Sequence, residues 1–469
     1  MKINTNPDSI PNETTHEGAV ASHISAEQRL RRTVLACMLW EDIFYEDGES
    51  VADRIEQLVG EVHPEVAADL AIEARERFKL RHVPLQLVRV LARRERASKD
   101  PSLVRKTLAR VVQRPDELAE FLALYWLGRK KGEPPKLSAQ VKKGLAAAFG
   151  KFNEYSLAKY NRGEKIRLRD VLFLCHAKPV TANQTDLWKR LVANKLVTPD
   201  TWEVAISAAK SPTEKLDQWM RLLSERKLGA LALLRNLRNL RQVGVSISDL
   251  EAALAECNVE RVLPFRFITA ATIVPELETS LERLMFKCLE GAEKLEGKSI
   301  LIVDTSGSMD SILSSKSTMT RLDAAAGLAI LARELCEDVA IYATAGNDVT
   351  RFHKTVRLPS RRGFALRDAL QATARPGTHY LGGGGIFLRQ CMDYVLDNEK
   401  QADRILVFTD EQDCDRKLNP DTAPAFGRTN YLFNVAAYRN GIGYGKWHHI
   451  DGFSEAVFDY VREFESSSQ

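Results

Sequence analysis

From about Ser25 to about Ala292 the apolar residues recur three and four places apart, as in LRRTVLACMLW (30–40), VADRIEQLVGEV (51–62), VAADLAIEARERF (66–78) and PLQLVRVLARRER (84–96). That spacing lays one apolar stripe along a helix and predicts a run of amphipathic helices of 12–18 residues. Short polar or Pro/Gly-bearing connectors separate them, and strand-like alternation is absent. Helices that can each bury only one face return as pairs, so the pattern predicts an all-α, HEAT-like helical-repeat domain over 25–292. Its pairs are irregular, without a strict period.

The texture changes at Gly297. KSILIVD (298–304) is a β-branched apolar run, followed by a Ser/Gly loop and the helical stretch RLDAAAGLAILARELC (321–336). Further strands are predicted at VAIYATAG (339–346), RILVFTD (404–410) and YLFNVAAYR (431–439), with helices at 364–374, 385–398 and 453–464. Strands alternating with helices specify right-handed βα units, hence a Rossmann-like α/β domain over 297–466 with a parallel sheet between two helix layers. Ligands of such a sheet sit at the carboxyl ends of its strands. Residues 1–24 are polar and are expected to form a flexible N-terminal tail.

Composition adds to this picture only through its distribution. The 469 residues carry 67 Lys+Arg against 63 Asp+Glu, a net charge of +4. Residues 71–180 hold 26 basic and 11 acidic residues, so +15 is concentrated there and −11 is spread over the rest. The basic residues cluster at Arg75–Arg81, Arg89–Arg96, Arg129–Lys131 and Lys159–Arg169, a distribution that favours a polyanion partner held through counterion release. The seven cysteines are scattered without a C-x-x-C pair, which points to reduced thiols in the cytoplasm. No signal-peptide core and no apolar run of roughly 20 residues is present, so no membrane partner is expected.

Two segments carry candidate chemistry. Asp304-Thr305-Ser306-Gly307-Ser308 follows the first predicted strand as D-x-S-x-S, and Asp410 ends a later one. Two carboxylates (Asp304, Asp410) and two hydroxyls (Ser306, Ser308) are hard oxygen ligands suited to Mg²⁺ or another divalent cation. The pattern resembles the von Willebrand factor A module with its metal-ion-dependent adhesion site. In that family a Thr completes the site; here Gly384 stands in its place, leaving either Thr378, six residues earlier, or a water to fill the position. The Gly382–Gly385 run lacks the Lys-Ser/Thr of a phosphate-binding P-loop.

The second segment runs from Lys159-Tyr160-Asn161-Arg162 to His176-Ala177-Lys178-Pro179 and joins cations to an aromatic ring and an imidazole, groups that meet phosphates and unpaired bases. Its KY pair, basic loop and D-x-L-x-L-x-H-x-K-P run resemble the TROVE module of the Ro autoantigen family, as do QRLRRTVL, ALLRNLRNL and RVLPFRFITA elsewhere. The resemblance covers about residues 25–466. It implies a helical ring that binds small noncoding Y RNAs and the single-stranded 3′ ends of misfolded RNAs, in RNA quality control or processing.

By that resemblance Lys159 and His176 contact RNA, with Arg162 and Arg169 beside them. Family members in bacteria are associated with a 3′-to-5′ exoribonuclease. No catalytic constellation is read from the sequence, so a binding scaffold and not an enzyme is expected. The alternative is a metal-dependent adaptor whose A module captures a partner carboxylate.

Overall fold

A computed structural model describes residues 25–36, 48–94, 99–127, 136–161, 165–259, 262, 264–313, 318–415, 425–436, 446–451, 457–458, 461–462 and 465. The expected tail at 1–24, the basic trio Arg129–Lys131, Arg162, and most of the helix expected at 453–464 lie outside the described residues. The described residues divide into two compact units, one holding Ala26–Leu35 and Glu49–Lys227 and the other the residues from Leu228 on.

Among its described residues the first unit has helices as its only regular elements, from α1 (Ala26–Ala36) and α2 (Gly48–Glu61) to α3 (Pro64–Glu76), α4 (His82–Arg93), α5 (Leu103–Val111) and α6 (Pro115–Trp126). It continues with α7 (Ala139–Phe149), α8 (Glu154–Tyr160), α9 (Leu168–Cys175), α10 (Ala182–Val192), α11 (Trp202–Ala208) and α12 (Pro212–Ser224). The polar connectors start these helices for stated reasons. Ser138, Asn153, Thr181, Thr201 and Ser211 each accept a backbone N–H of the following first turn. Pro64, Pro115 and Pro212 sit in first turns, where no N–H is needed.

Helices α3, α5, α7 and α9 pack in succession as one row, and α4, α6, α8 and α10 as another. Polar side chains fasten each pair to the next: Arg89 to Glu56 (33 residues apart), Arg110 to Glu76 (34), Gln184 to the Gly150 carbonyl (34), Arg190 to Glu154 (36) and Arg31 to Glu73 (42). Counted between the first residues of successive helices in a row, the two-helix unit recurs at a spacing that drifts from 28 residues (Glu154 to Ala182) to 39 (Pro64 to Leu103), which is why no strict period is visible in the sequence. At the centre of the stack, Arg75 donates to Glu117 and to the Val111 carbonyl (3.0 Å), and both side chains are buried.

The second unit begins with α13 (Ala230–Gln242), α14 (Ile247–Ala255), α15 (Pro264–Ile273) and α16 (Glu278–Lys287). These four helices group with the α/β module that follows, although the change from helix to sheet falls near residue 295, close to the sequence expectation. Arg367 reaches Glu278 at 2.9 Å, and the Phe364 N–H donates to Glu282 at 2.7 Å.

The sheet contains β1 (Leu295–Asp304), β2 (Cys336–Asn347), β3 (Phe352–Arg357), β4 (Arg404–Thr409), β5 (Thr429–Asn434) and β6 (His448–Asp451), in the order β3-β2-β1-β4-β5-β6. Helices α17 (Arg321–Leu335), α18 (Gly363–Ala374) and α19 (Leu388–Glu399) complete it. Two strands depart from expectation. β3 pairs antiparallel with β2 at the sheet edge, and β6 extends the other edge. Their sequences, FHKTVR and HHID, are too polar to read as buried strands because an edge strand keeps one side in solvent. The chain order reverses between β1 and β4, and at that switch point Asp304 ends β1 and Asp410 follows β4.

Removing one partner of a buried ion pair leaves an uncompensated charge, so Glu117→Ala is expected to destabilise the first unit by about 3–5 kcal/mol. Lys106→Ala, which breaks an exposed pair with Asp100, is expected to stay within about 0.5 kcal/mol of wild type in urea denaturation.

Candidate nucleic-acid interface and strand-end rim

Much of the positive charge counted in residues 71–180 is occupied inside the helical stack. Arg75 is buried against Glu117, Arg81 bonds Asp116 (2.6 Å) and Glu120, and Arg89 bonds Glu56 (3.1 Å). Arg93 donates to the Tyr125 and Leu127 carbonyls at the end of α6, and Arg94 to the Gly60 and Val62 carbonyls at the end of α2. These guanidiniums satisfy the carbonyls that helix C-termini leave unpaired. The Arg75–Arg81 and Arg89–Arg96 clusters, expected from the sequence to be polyanion contacts, thus contain several structural fasteners.

The later cluster is more open. Lys165, Arg167 and Lys178 are exposed. Lys159, on α8, is 3.6 Å from Glu203 and lies over the Tyr160 ring, whose face also carries the Arg114 guanidinium at 4.7 Å from its centroid. Arg169 is half-exposed near its neighbour Asp170, at 3.7 Å.

His176 caps the C-terminus of α9 in a left-handed conformation (φ 53°), and its ring is exposed. Helix α9 buries Leu168, Val171, Leu172 and Cys175, a stripe that turns Phe173 outward, 60% exposed. Phe173, Leu174 and His176 join Lys136, Leu137 and Lys142 around an open depression of about 440 Å³. An exposed aromatic ring, an imidazole and two ammonium groups around one depression suit a nucleotide: the ring stacks a base and the cations meet phosphate. Phe173, Lys136 and Lys142 are not among the sequence-derived candidates. The signal was available in LRDVLFLC, where the helical stripe through 168, 171, 172 and 175 leaves 173 outside.

The strand-end rim brings the four expected oxygen residues together. Asp304 and Asp410 are fully buried. Asp304 Oδ1 accepts the Ser306 N–H (2.9 Å), its Oδ2 accepts the Thr409 hydroxyl (2.6 Å), and the Ser306 and Ser308 hydroxyls are 3.4 Å apart. Burial, and secondly the Asp410 charge, push the Asp304 carboxyl above the usual carboxylate range.

The set also contains a residue the sequence expectation omits. Arg321, 2% exposed at the start of α17, donates to Asp410 Oδ2 at 2.9 Å and approaches the Ser308 carbonyl at 3.5 Å. Nor does the Gly-rich loop have room for the missing Thr. A Cβ at Gly384 would lie 2.6 Å from the Gly346 carbonyl oxygen and 2.9 Å from Asp348 Oδ1, and Thr378 is exposed. Gly307 is equally constrained, its N–H bonded to the Gly383 carbonyl where a Cβ would come within 2.7 Å of that oxygen.

Arg321 adds a positive charge to the oxygen set expected to hold a divalent cation, opposing that ion where the Asp304 and Asp410 carboxylates attract it. Two unit positive charges about 4 Å apart repel by ~4 kcal/mol at an effective dielectric of 20, and a divalent ion beside Arg321 doubles that.

Comparison with known proteins places the helical part. Residues 189–290 match the TROVE domain model. That stretch, about a fifth of the chain, is similar to the TROVE domain. A 93-residue stretch is 36% identical to telomerase protein component 1 of Mus musculus, which covers 19% of this chain and about 3% of that much longer protein. The crystal structure of the Deinococcus radiodurans RO (RSR) protein superposes with a TM-score of 0.59 over 94% of this chain and 99% of that one, at 18% identity. It shares the fold, a helical-repeat domain with an α/β von Willebrand factor A-type domain. The TROVE match runs from the end of α10 through α16, downstream of the Phe173 depression.

Another buried carboxylate lies just beyond the rim. Asp413 accepts the Leu388 N–H at the start of α19 (3.0 Å) and is pushed up to about 7, first by burial and then by Asp415. A carboxyl raised from an ordinary value of about 3.9 binds its proton more tightly folded than unfolded, so its contribution is complete below that value and is lost as pH rises toward 7. The thermal midpoint of the α/β unit is expected to fall between pH 4 and 7, and Asp413→Asn to flatten that fall; an unchanged slope in the variant contradicts the assignment.

Proposed function

We propose that the protein is the RNA-binding component of a ribonucleoprotein, with RNA on the face of the helical unit formed by α7, α8 and α9. The carrying observation is the depression lined by Phe173, His176, Lys136 and Lys142, beside the exposed Lys165 and Arg167. The TROVE match and the Ro-type fold support the same reading. The exposed cations hold phosphates of a structured RNA, while Phe173 and His176 take an unpaired base. Lys159 and Arg169 lie close enough to carboxylates that RNA competes with Glu203 and Asp170 for them.

The RNA class that fits is a small noncoding, Y-type RNA or a misfolded RNA with a single-stranded 3′ end. A 3′-to-5′ exoribonuclease is the partner suited to such a cargo, in the cytoplasm. The role is binding and presentation, without a chemical step by this chain.

In a gel-shift assay with a hairpin RNA bearing a single-stranded 3′ tail, log K is expected to fall linearly with log[salt]. Loss of one stacked base is worth roughly 1–3 kcal/mol, so Phe173→Ala is expected to weaken binding about tenfold or more. Lys159→Glu and His176→Ala are expected to weaken it as well. No retention of RNA by wild-type protein at low salt contradicts the proposal.

A further inference from the structure

We propose that Arg321 is the resident cation of the strand-end rim, so that this A-type unit holds its D-x-S-x-S loop closed without a divalent metal ion. Three observations converge on it. The guanidinium spans the two sides of the rim that a metal would link: it donates to Asp410 after β4 at 2.9 Å and approaches the Ser308 carbonyl of the loop after β1 at 3.5 Å. It is buried, with its side chain 2% and that of Asp410 0% exposed, so the charge is built into the fold. The Gly-rich loop on the third side is sealed against a hydroxyl ligand, because the Gly384 N–H bonds the Gly346 carbonyl (3.0 Å) where a Cβ would collide.

The neighbouring groups are closed among themselves. Asp304 is held by Ser306 and Thr409, and Glu411 pairs with His449 at 2.9 Å, both buried. Arg321 reaches the rim because Thr320 caps α17 through a capping box with Asp323, fixing the first turn beside the loop. A guanidinium offers several donors in a fixed fork and never loses its charge, so it meets carboxylate and carbonyl together, as a bound metal does. The consequence is functional: a rim closed by its own arginine cannot capture a partner carboxylate through a shared metal ion. The metal-dependent adaptor reading therefore loses its means of attachment.

The test measures the thermal midpoint and titration calorimetry of the full chain with MnCl₂, MgCl₂ or EDTA. Wild type is expected to show the same midpoint in all three and no saturable heat. R321K, which keeps the charge, is expected to be equally indifferent. R321Q removes the guanidinium's charge from Asp410 and is expected to have a lowered midpoint that Mn²⁺ raises, with a saturable Mn²⁺ heat that wild type lacks. Saturable Mn²⁺ binding by wild type that D304N removes would overturn the proposal, and so would a folded R321Q whose midpoint ignores Mn²⁺. If R321Q fails to fold, the wild-type and R321K measurements decide.

Discussion

A charge taken out of water must be paired or it destabilises whatever holds it. In this protein that constraint decides where the basic residues go. Arg75 with Glu117, Arg404 with Glu465 at 2.7 Å and Arg321 with Asp410 are buried pairs, one in the helical stack and two in the α/β unit. Around the first pair, arginines at helix ends consume the orphan carbonyls of adjacent helices, so successive pairs are tied by charge-assisted hydrogen bonds as well as by apolar packing. What is left for a partner is the charge the fold does not use, and the exposed Lys136, Lys165, Arg167 and Lys178 are part of it.

The same constraint separates the two candidate sites. At the Phe173 depression cations are exposed beside an uncovered ring, an arrangement that gains energy only when an anion and a flat base arrive. At the strand-end rim the carboxylates are buried and already matched by hydroxyls, a backbone N–H and a guanidinium. One site is open and uncompensated, the other closed.

Much of the architecture was legible because it rests on periodicity. The helical spacing over 25–292, the change of texture near 297 and the βα alternation lead to the observed elements, and the capping residues lie in the polar connectors. The edge strands β3 and β6 were not legible, since a strand with one side in solvent loses the apolar signature. Neither was the helix-pair repeat, whose spacing drifts between 28 and 39 residues and whose pairs are tied by side-chain links. Within the sites, Asp304, Ser306, Ser308 and Asp410 converge as their positions at strand ends required. Arg321 was hidden because it opens a helix 89 residues from its partner. The charge count of 71–180 was correct as a sum and misleading as a map, because sequence does not distinguish an arginine that ties helices together from one that waits for phosphate.

The most direct test of this account is ultraviolet crosslinking of the full chain to a hairpin RNA with a single-stranded 3′ tail, with adducts mapped by mass spectrometry. The account predicts adducts on peptides covering residues 136–178, with Phe173 or His176 among the modified positions. Adducts confined to the α/β unit, or to the Arg75–Arg94 segment that ties the helices together, would contradict it.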